Sequence, residues 1–186
     1  MKPMPEDDRE LVQDCLRGRL GAFRELMDRY RETAMSVAMN ILMNREDAED
    51  ACQESFFKAY RHLDRYDPRR SFKNWFMTLV AHDSLDRLRK RKRFRLFIDR
   101  LKFETASAGD AARPDDPAPE RVLEHPLLRR LGPKERLALF LWSQEGYSGE
   151  EIASVLGCAP STAHVHIYRA RVRLKSLLEE EKHGTL

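Results

Sequence analysis

Apolar side chains in the first half of the chain recur at intervals of three and four residues, the spacing that places them on one face of an α-helix. Four such stretches follow one another between residues 11 and 92, with breaks near Gly18, at Asn44 and in the polar segment 64–71 (DRYDPRRS). Almost no stretch alternates between apolar and polar residues as a half-buried strand does. The pattern therefore predicts an all-α protein.

The third and fourth of these helices differ in their polar faces. The third is predicted to begin after Asn44 and to leave a largely acidic face exposed, which consists of Asp47, Asp50, Gln53, Glu54 and Lys58. The fourth carries Phe72 and Trp75 at a helical spacing that favours core positions over exposed stacking positions. It ends in the cationic run RLRKRKR at residues 87–93. The cationic run is a candidate for contact with DNA, whereas the acidic face taken by itself is equally well explained as a solvated surface.

The composition changes between residues 104 and 126, where Ala, Pro, Asp and Glu dominate. Pro114, Pro117 and Pro119 exclude a regular helix through the middle of this segment. The change predicts a flexible acidic linker between two small helical domains. We expect the first domain at residues 1–95, the linker at 96–126 and the second domain at 127–186.

The second domain contains a predicted helix-turn-helix at residues 149–175. Ser148 and Glu151 have the spacing of a capping box, Gly157 suits a left-handed C-cap, and a second helix starts near Pro160. One face of that helix is an apolar stripe, and the opposite arc is basic and polar. A helix of this kind places its first residues against base edges in a major groove while later arginines contact phosphates. The alternative is an ordinary solvated basic helix.

Charge, cysteines and motifs exclude several classes of protein. The net charge of +3 is too small to identify a nucleic-acid binder by itself. No apolar run is long enough to span a bilayer or to act as a signal peptide, so a cytoplasmic protein without membrane insertion is expected. Cys15, Cys52 and Cys158 are far apart and are expected to be free thiols. No phosphate loop, nucleophile motif or metal-ligand spacing is present, so we predict no catalytic residue, metal or cofactor.

Taken together, these residues resemble the extracytoplasmic-function group of bacterial RNA polymerase sigma factors over nearly the whole chain. The first domain contributes DAED at 47–50, QESF at 53–56, KAY at 58–60, SFKNW at 71–75 and DRLR at 86–89. The second contributes GYS at 146–148, EIA at 151–153 and YRAR at 168–171. The combination is specific, whereas each motif alone is weak. The resemblance implies a sigma region 2 bundle and a sigma region 4 helix-turn-helix.

The resemblance also implies partners and contact residues. RNA polymerase core would be bound through its β′ clamp helices and β flap, with the clamp-helix contacts falling on Asp47, Asp50, Gln53 and Glu54. The −10 promoter element would be contacted by Arg65, Tyr66, Arg69, Arg70, Ser71, Asn74, His82, Arg87, Arg89 and Lys90. The −35 element would be contacted by Ser161, Thr162, His164, His166, Tyr168, Arg169 and Arg171. Where one exists, an anti-sigma protein would be a further partner.

The chain departs from the family pattern at three of these positions. His82 stands where an Asn is common, and His164 and His166 stand where Arg or Lys is common. The promoter sequence of relatives therefore does not transfer to this chain. Two rival hypotheses remain: a free-standing helix-turn-helix regulator, which would need a dimer surface or a sensor domain, and an enzyme acting on nucleic acid.

Overall fold

The computed structural model describes residues 6–105 and 126–183, and every regular element within these ranges is helical. Seven α-helices follow one another there: α1 (Glu6–Leu16), α2 (Leu20–Leu42), α3 (Arg45–Arg61), α4 (Phe72–Thr105), α5 (Pro133–Ser143), α6 (Gly149–Leu156) and α7 (Pro160–His183). Short 3-10 turns lie at Leu63–Arg65 and Pro126–Arg130. None of these helices is long and apolar enough to cross a membrane. The all-α prediction is confirmed for this part of the chain.

Helices α1 to α4 form a first unit in which α2 packs against α1, α3 and α4. Its core includes an aromatic cluster at the start of α4. Phe72 is 2% exposed, and its ring centroid lies 5.6 Å from that of Tyr66 and 5.6 Å from that of Trp75. Phe72 is therefore a core residue as predicted, while Trp75 is half-buried against the same core.

Local sequence signals fix the ends of the helices. The side chain of Asn44 accepts a hydrogen bond of 2.8 Å from the amide of Asp47 at the start of α3. Ser148 and Glu151 exchange the two hydrogen bonds of a capping box at the start of α6, at 2.8 and 3.2 Å. Gly157 ends α6 with a φ of 61°, in the left-handed region. These predicted helix ends are confirmed, because each depends only on neighbours in sequence.

Helix α4 extends beyond the predicted domain boundary at residue 95 and reaches Thr105. The reason is the composition after the cationic run, where Arg, Leu, Phe and Lys continue without a Gly or Pro. The first part of the predicted linker is thus helical. The rest of that linker, residues 106–125, lies outside the described residues.

Helices α5 to α7 form a second unit, which packs directly against the first. Helix α5 contacts α2, and α6 contacts α4. One cluster of buried apolar side chains includes members from all seven helices, from Val12 in α1 to Ile167 in α7. The sequence predicted two separate domains and gave no indication of this shared core.

A buried arginine lies where the two units meet. Arg136 of α5 is 2% exposed, and its Nε donates a hydrogen bond of 2.5 Å to the carbonyl of Asn40 in the last turn of α2. Its guanidinium also donates to the carbonyls of Leu128 and Leu131, each at 3.1 Å. Burial lowers the pKa of Arg136 to about 10, so the group stays charged at neutral pH. Arg136 therefore caps a helix of the first unit while ordering the turn that begins the second.

Gly157 gives a test of the turn between α6 and α7. Alanine there would be held in the left-handed region, and its Cβ would lie 3.0 Å from Nε2 of His82. We expect Gly157→Ala to lower the free energy of unfolding by about 1 to 2 kcal/mol, measured by urea denaturation.

The matched control is Gly21→Ala in α2, where an added Cβ has no neighbour within 4 Å and φ is not positive. Because alanine is the better helix former, this variant should be as stable as the wild type or up to about 1 kcal/mol more stable. A Gly157 variant as stable as the wild type would show that the turn relaxes without cost.

Candidate nucleic-acid interface

The acidic face of α3 is paired with the basic run of α4. Arg87 lies 3.7 Å from Asp47, 3.0 Å from Asp50 and 3.9 Å from Glu54, measured between side-chain nitrogen and oxygen. Arg91 adds a contact of 2.9 Å to Asp47. These carboxylates therefore already have cationic partners within the first unit. They nevertheless remain accessible, since the side chains of Asp50 and Glu54 are 62% and 51% exposed.

Two more groups complete this face. Gln53 is exposed beside the carboxylates. Lys58 lies 3.0 Å from Glu54 and 2.6 Å from Asp83 of α4. The hydrogen bond from Lys58 lowers the pKa of Glu54, so this carboxylate stays ionised at neutral pH.

The loop before α4 presents three arginines to solvent. Arg65, Arg69 and Arg70 are exposed and Ser71 is half-buried, so the three guanidinium groups are accessible to a partner. Tyr66 is different: it is 6% exposed, and its hydroxyl donates to the carbonyl of Arg70. Burial raises its pKa to about 12. Its ring holds the loop on the core in this arrangement, and the contact of Tyr66 with DNA stays a prediction.

The basic run continues this surface along α4. Arg89 and Lys90 are exposed, and Arg89 makes an ion pair of 2.5 Å with Asp86 on the same helix. Arg87 is only partly exposed because it lies against the acidic face of α3. The basic run therefore has one side that faces solvent and another side whose positive charge is balanced by carboxylates of α3.

Helix α7 presents the predicted reading face. Its apolar stripe packs inward on Ala163, Ile167, Ala170 and Leu177. The exposed residues among the predicted contacts are Ser161, Thr162, His164, Tyr168, Arg169 and Arg171. The His164 ring is fixed by a hydrogen bond of 2.8 Å between Nδ1 and the Pro160 carbonyl. It also packs on Gly149, where an added Cβ would lie 2.5 Å from the ring.

Two predicted contacts on α7 also face α5. His166 is half-buried, and burial followed by the nearby charge of Lys134 lowers its pKa. Its Nδ1 is buried without a hydrogen-bond partner in the described part of the chain. The Arg171 guanidinium lies over the ring of Trp142, 5.1 Å from the centroid. Trp142 is absent from the sequence prediction, because no local pattern links it to α7.

The chain matches the family models of two regions of one protein family. Residues 26–94 match sigma-70 region 2, and residues 125–174 match sigma-70 region 4. RNA polymerase sigma factor CarQ of Myxococcus xanthus is 33% identical over 88% of this chain and 92% of its own length. RNA polymerase sigma-H factor of Pseudomonas aeruginosa is 30% identical over 94% of this chain and 95% of its own.

The chain belongs to the extracytoplasmic-function group of the sigma-70 family. Its fold is also similar to a solved structure of CnrH, a sigma factor of Cupriavidus metallidurans, in complex with the cytosolic domain of CnrY. The TM-score is 0.66 at 26% identity, and the match covers 93% of this chain and 97% of CnrH.

Regions 2 and 4 of this sigma factor touch at residues predicted to contact DNA. The Asn74 amide of α4 donates 3.1 Å to the Glu151 carboxylate of α6. His82 lies against Gly157 in the turn before α7. Both side chains were predicted to contact the −10 element. In this closed arrangement Asn74 is half-buried, and His82 stays exposed although its ring faces the turn.

An ion pair also lies at this contact between regions 2 and 4. Lys73 of α4 lies 2.7 Å from Glu145 in the second unit, and its ammonium is 5.5 Å from the centroid of the Tyr147 ring. Both side chains of the pair are at least two-thirds buried, with 32% and 18% exposed. Within the described residues, no cluster of His, Cys, Asp and Glu could hold a metal ion. The site consists of charged and polar surfaces.

Charge reversal tests whether Lys73 and Glu145 hold the two regions together. Lys73→Glu would place two carboxylates at the same contact, so we expect a larger radius of gyration by small-angle X-ray scattering at low salt. The double variant with Lys73→Glu and Glu145→Lys should recover the wild-type radius. Equal radii for the wild type and the single variant would contradict this assignment.

Proposed function

We propose that this sigma factor binds RNA polymerase core through the acidic face of α3, reads the −10 element through the loop 65–71 and α4, and reads the −35 element through α7. It performs no catalysis of its own and acts in the cytoplasm, where polymerase is found. The observation that carries this proposal is the juxtaposition of one acidic face with two exposed cationic helices. A free-standing regulator would not need the acidic face.

Core docking is the first step of the proposal. Asp50 and Glu54 are exposed, and their only described pairing is with side chains of α3 and α4. Partly exposed ion pairs contribute little to folding, typically less than about 1 kcal/mol. These carboxylates can therefore exchange internal arginines for cations of the polymerase clamp at small cost.

Charge reversal at Asp50 and Glu54 tests this step. The double variant with Asp50→Lys and Glu54→Lys should keep its helical circular dichroism and lose core affinity by at least about tenfold, measured by fluorescence anisotropy with labelled protein. The control is Glu25→Lys on α2, whose carboxylate is 63% exposed, close to the 62% of Asp50. Core affinity unchanged in the double variant would refute docking through α3.

Promoter reading requires the closed arrangement to open. The two elements lie about 25 base pairs apart, as their designations state, or about 85 Å along B-DNA. Here the surfaces that would read them are adjacent, since His82 of α4 contacts Gly157 just before α7. The described ranges are joined by residues 106–125, which are long enough to span about 70 Å when extended. We therefore infer that the closed arrangement is a resting state.

Position 166 tests reading by α7. Because burial lowers its pKa, His166 is neutral at pH 7.5 and provides no charge for a phosphate. We expect His166→Arg to bind a −35 duplex more tightly and to steepen the slope of log K against log salt by about one. The difference in DNA affinity between the variant and the wild type should shrink as the pH falls below the pKa of His166, because the wild-type imidazole then gains a proton.

The measurement uses holoenzyme and a promoter duplex recovered by sequencing the DNA that it occupies in the cell. His183→Arg, at the exposed end of α7, is the control for a general gain of charge and should leave the salt slope unchanged. An identical slope for the wild type and the His166 variant would remove position 166 from the DNA contact.

An anti-sigma protein fits the groove between the two units. The groove has a volume of about 1200 Å³, and its lining includes Met35, Met39, Phe56, Leu139 and Phe140. Support comes from CnrH, which is seen in complex with the cytosolic domain of another protein. A segment bound there would contact both units and favour the closed arrangement.

A further inference from the structure

Helix α1 lies before the residues that match sigma-70 region 2, yet it places a carboxylate inside the first unit. Asp8, in the first turn of this helix, is 0% exposed. Its carboxylate accepts a hydrogen bond of 2.5 Å from Nη1 of Arg29 and a second one from the hydroxyl of Tyr30. A buried charge is costly unless such partners compensate it. The surfaces assigned to polymerase and DNA do not include this cluster.

Tyr30 joins the buried carboxylate to the aromatic cluster at the start of α4. Its side chain is buried, and its ring centroid lies 5.8 Å from that of Phe72. The Phe72 ring in turn lies 5.6 Å from that of Tyr66, whose hydroxyl donates to the carbonyl of Arg70. A continuous series of side-chain contacts therefore runs from α1 to the loop 65–71.

The charge of Asp8 acts on both tyrosines of this series. Burial, followed by the hydrogen bond to Asp8, raises the pKa of Tyr30. Burial, followed by the nearby charge of Asp8, raises the pKa of Tyr66. Both hydroxyls therefore keep the proton that they donate at neutral pH. Helix α1 also contacts the turn at Leu63–Arg65 directly, so it reaches the loop by a second route.

The loop is attached to the core at one point. Its tip is shaped by local hydrogen bonds, since the carboxylate of Asp67 accepts 3.0 Å from the amide of Arg69 and its carbonyl accepts 2.9 Å from the amide of Arg70. Between residues 65 and 71 the only buried side chain is that of Tyr66. The placement of the exposed arginines therefore depends on how Tyr66 is held.

We propose that Asp8 is a positioning residue for promoter opening, which acts through Tyr30 and the aromatic cluster to hold the loop 65–71 in the shape that receives the −10 strand. An unstacked base must be compensated by new contacts. A loop that is ordered before the strand arrives loses less conformational entropy on binding. The role in opening rests on the proposed function, whereas the ordering of the loop by Asp8 does not.

Hydrogen exchange of the full chain without polymerase tests the ordering. The amides of Tyr66 and Arg70 are hydrogen-bonded within the loop, so their exchange rates follow its local opening. Tyr30→Phe keeps the ring in the aromatic cluster and removes the hydroxyl. Exchange in the segment 63–71 should then be about threefold to tenfold faster, the factor expected for one lost hydrogen bond.

Two substitutions on α1 separate the buried carboxylate from an exposed one. Asp8→Asn removes the charge that Arg29 and Tyr30 face, so exchange in the segment 63–71 should be faster than in Tyr30→Phe. The control is Asp14→Asn, because Asp14 also pairs with an arginine, at 2.7 Å from Arg19, but is partly exposed near the end of the helix. This variant should exchange like the wild type.

Holoenzyme carrying the same variants tests the role in opening. Permanganate reactivity of unpaired thymines, on a promoter recovered by sequencing the DNA that the holoenzyme occupies, measures the melted fraction. Asp8→Asn should lower this fraction at least about threefold and leave core affinity and affinity for the −35 duplex unchanged. A variant that merely folded less well would lose core affinity and opening together.

Three results would overturn the proposal: wild-type exchange in the segment 63–71 of both Tyr30→Phe and Asp8→Asn, faster exchange with wild-type opening, or equal loss of core affinity and opening. The proposed function has a separate test in Arg65→Ala with Arg69→Ala, which removes two exposed cations and leaves the network intact. Wild-type opening in that variant would refute the −10 contact of the loop, whereas wild-type exchange in the other two refutes the network alone.

Discussion

The buried guanidinium of Arg136 joins the two units of the fold, and the placement of the DNA-facing helices depends on it. Its positive charge has no carboxylate among the hydrogen-bond partners in the described residues; three backbone carbonyls solvate it instead. One of these carbonyls belongs to the last turn of α2, where the helix dipole is negative. Separation of the units exposes Arg136 to water, which can replace the Asn40 carbonyl. The contact that Arg136 makes between the two units therefore has a defined geometry and can still be broken reversibly.

The charged surfaces of α3 and α4 can also exchange one binding partner for another. Carboxylates of α3 face arginines of α4, so each surface screens the other in the free protein. In the proposed function polymerase docks on the carboxylates of α3 and DNA docks on the arginines of α4, so docking of either partner would release part of the other surface. Because the pairs are partly exposed, the energy at stake is small for each contact. Under the proposed function, several such exchanges together would couple core binding to DNA binding.

The parts of this structure that the sequence predicts are those set by near neighbours. The caps at Asn44 and Ser148 and the left-handed Gly157 follow from local hydrogen bonding and backbone sterics, which a short window of sequence contains. The pairing of Lys73 with Glu145 joins residues 72 positions apart, and no local pattern encodes it. Tyr66 is placed among the −10 contacts by the resemblance of its loop to the family, and its burial comes from tertiary packing that the loop sequence does not show. The sequence pattern predicts that the fourth helix ends at the cationic run 87–93, but no helix breaker follows that run and α4 continues to Thr105.

The closed arrangement also sets how strongly this sigma factor can bind a promoter. If only a fraction of molecules is open, the apparent dissociation constant for a two-element promoter rises by the inverse of that fraction. Opening must expose apolar side chains now shared between α2 and α5 and between α4 and α6, so it is opposed by more than the ion pair at Lys73. Core binding lowers this cost if polymerase contacts region 2 and region 4 at separate places. Free protein then has little affinity for promoters, and DNA recognition becomes a property of the holoenzyme.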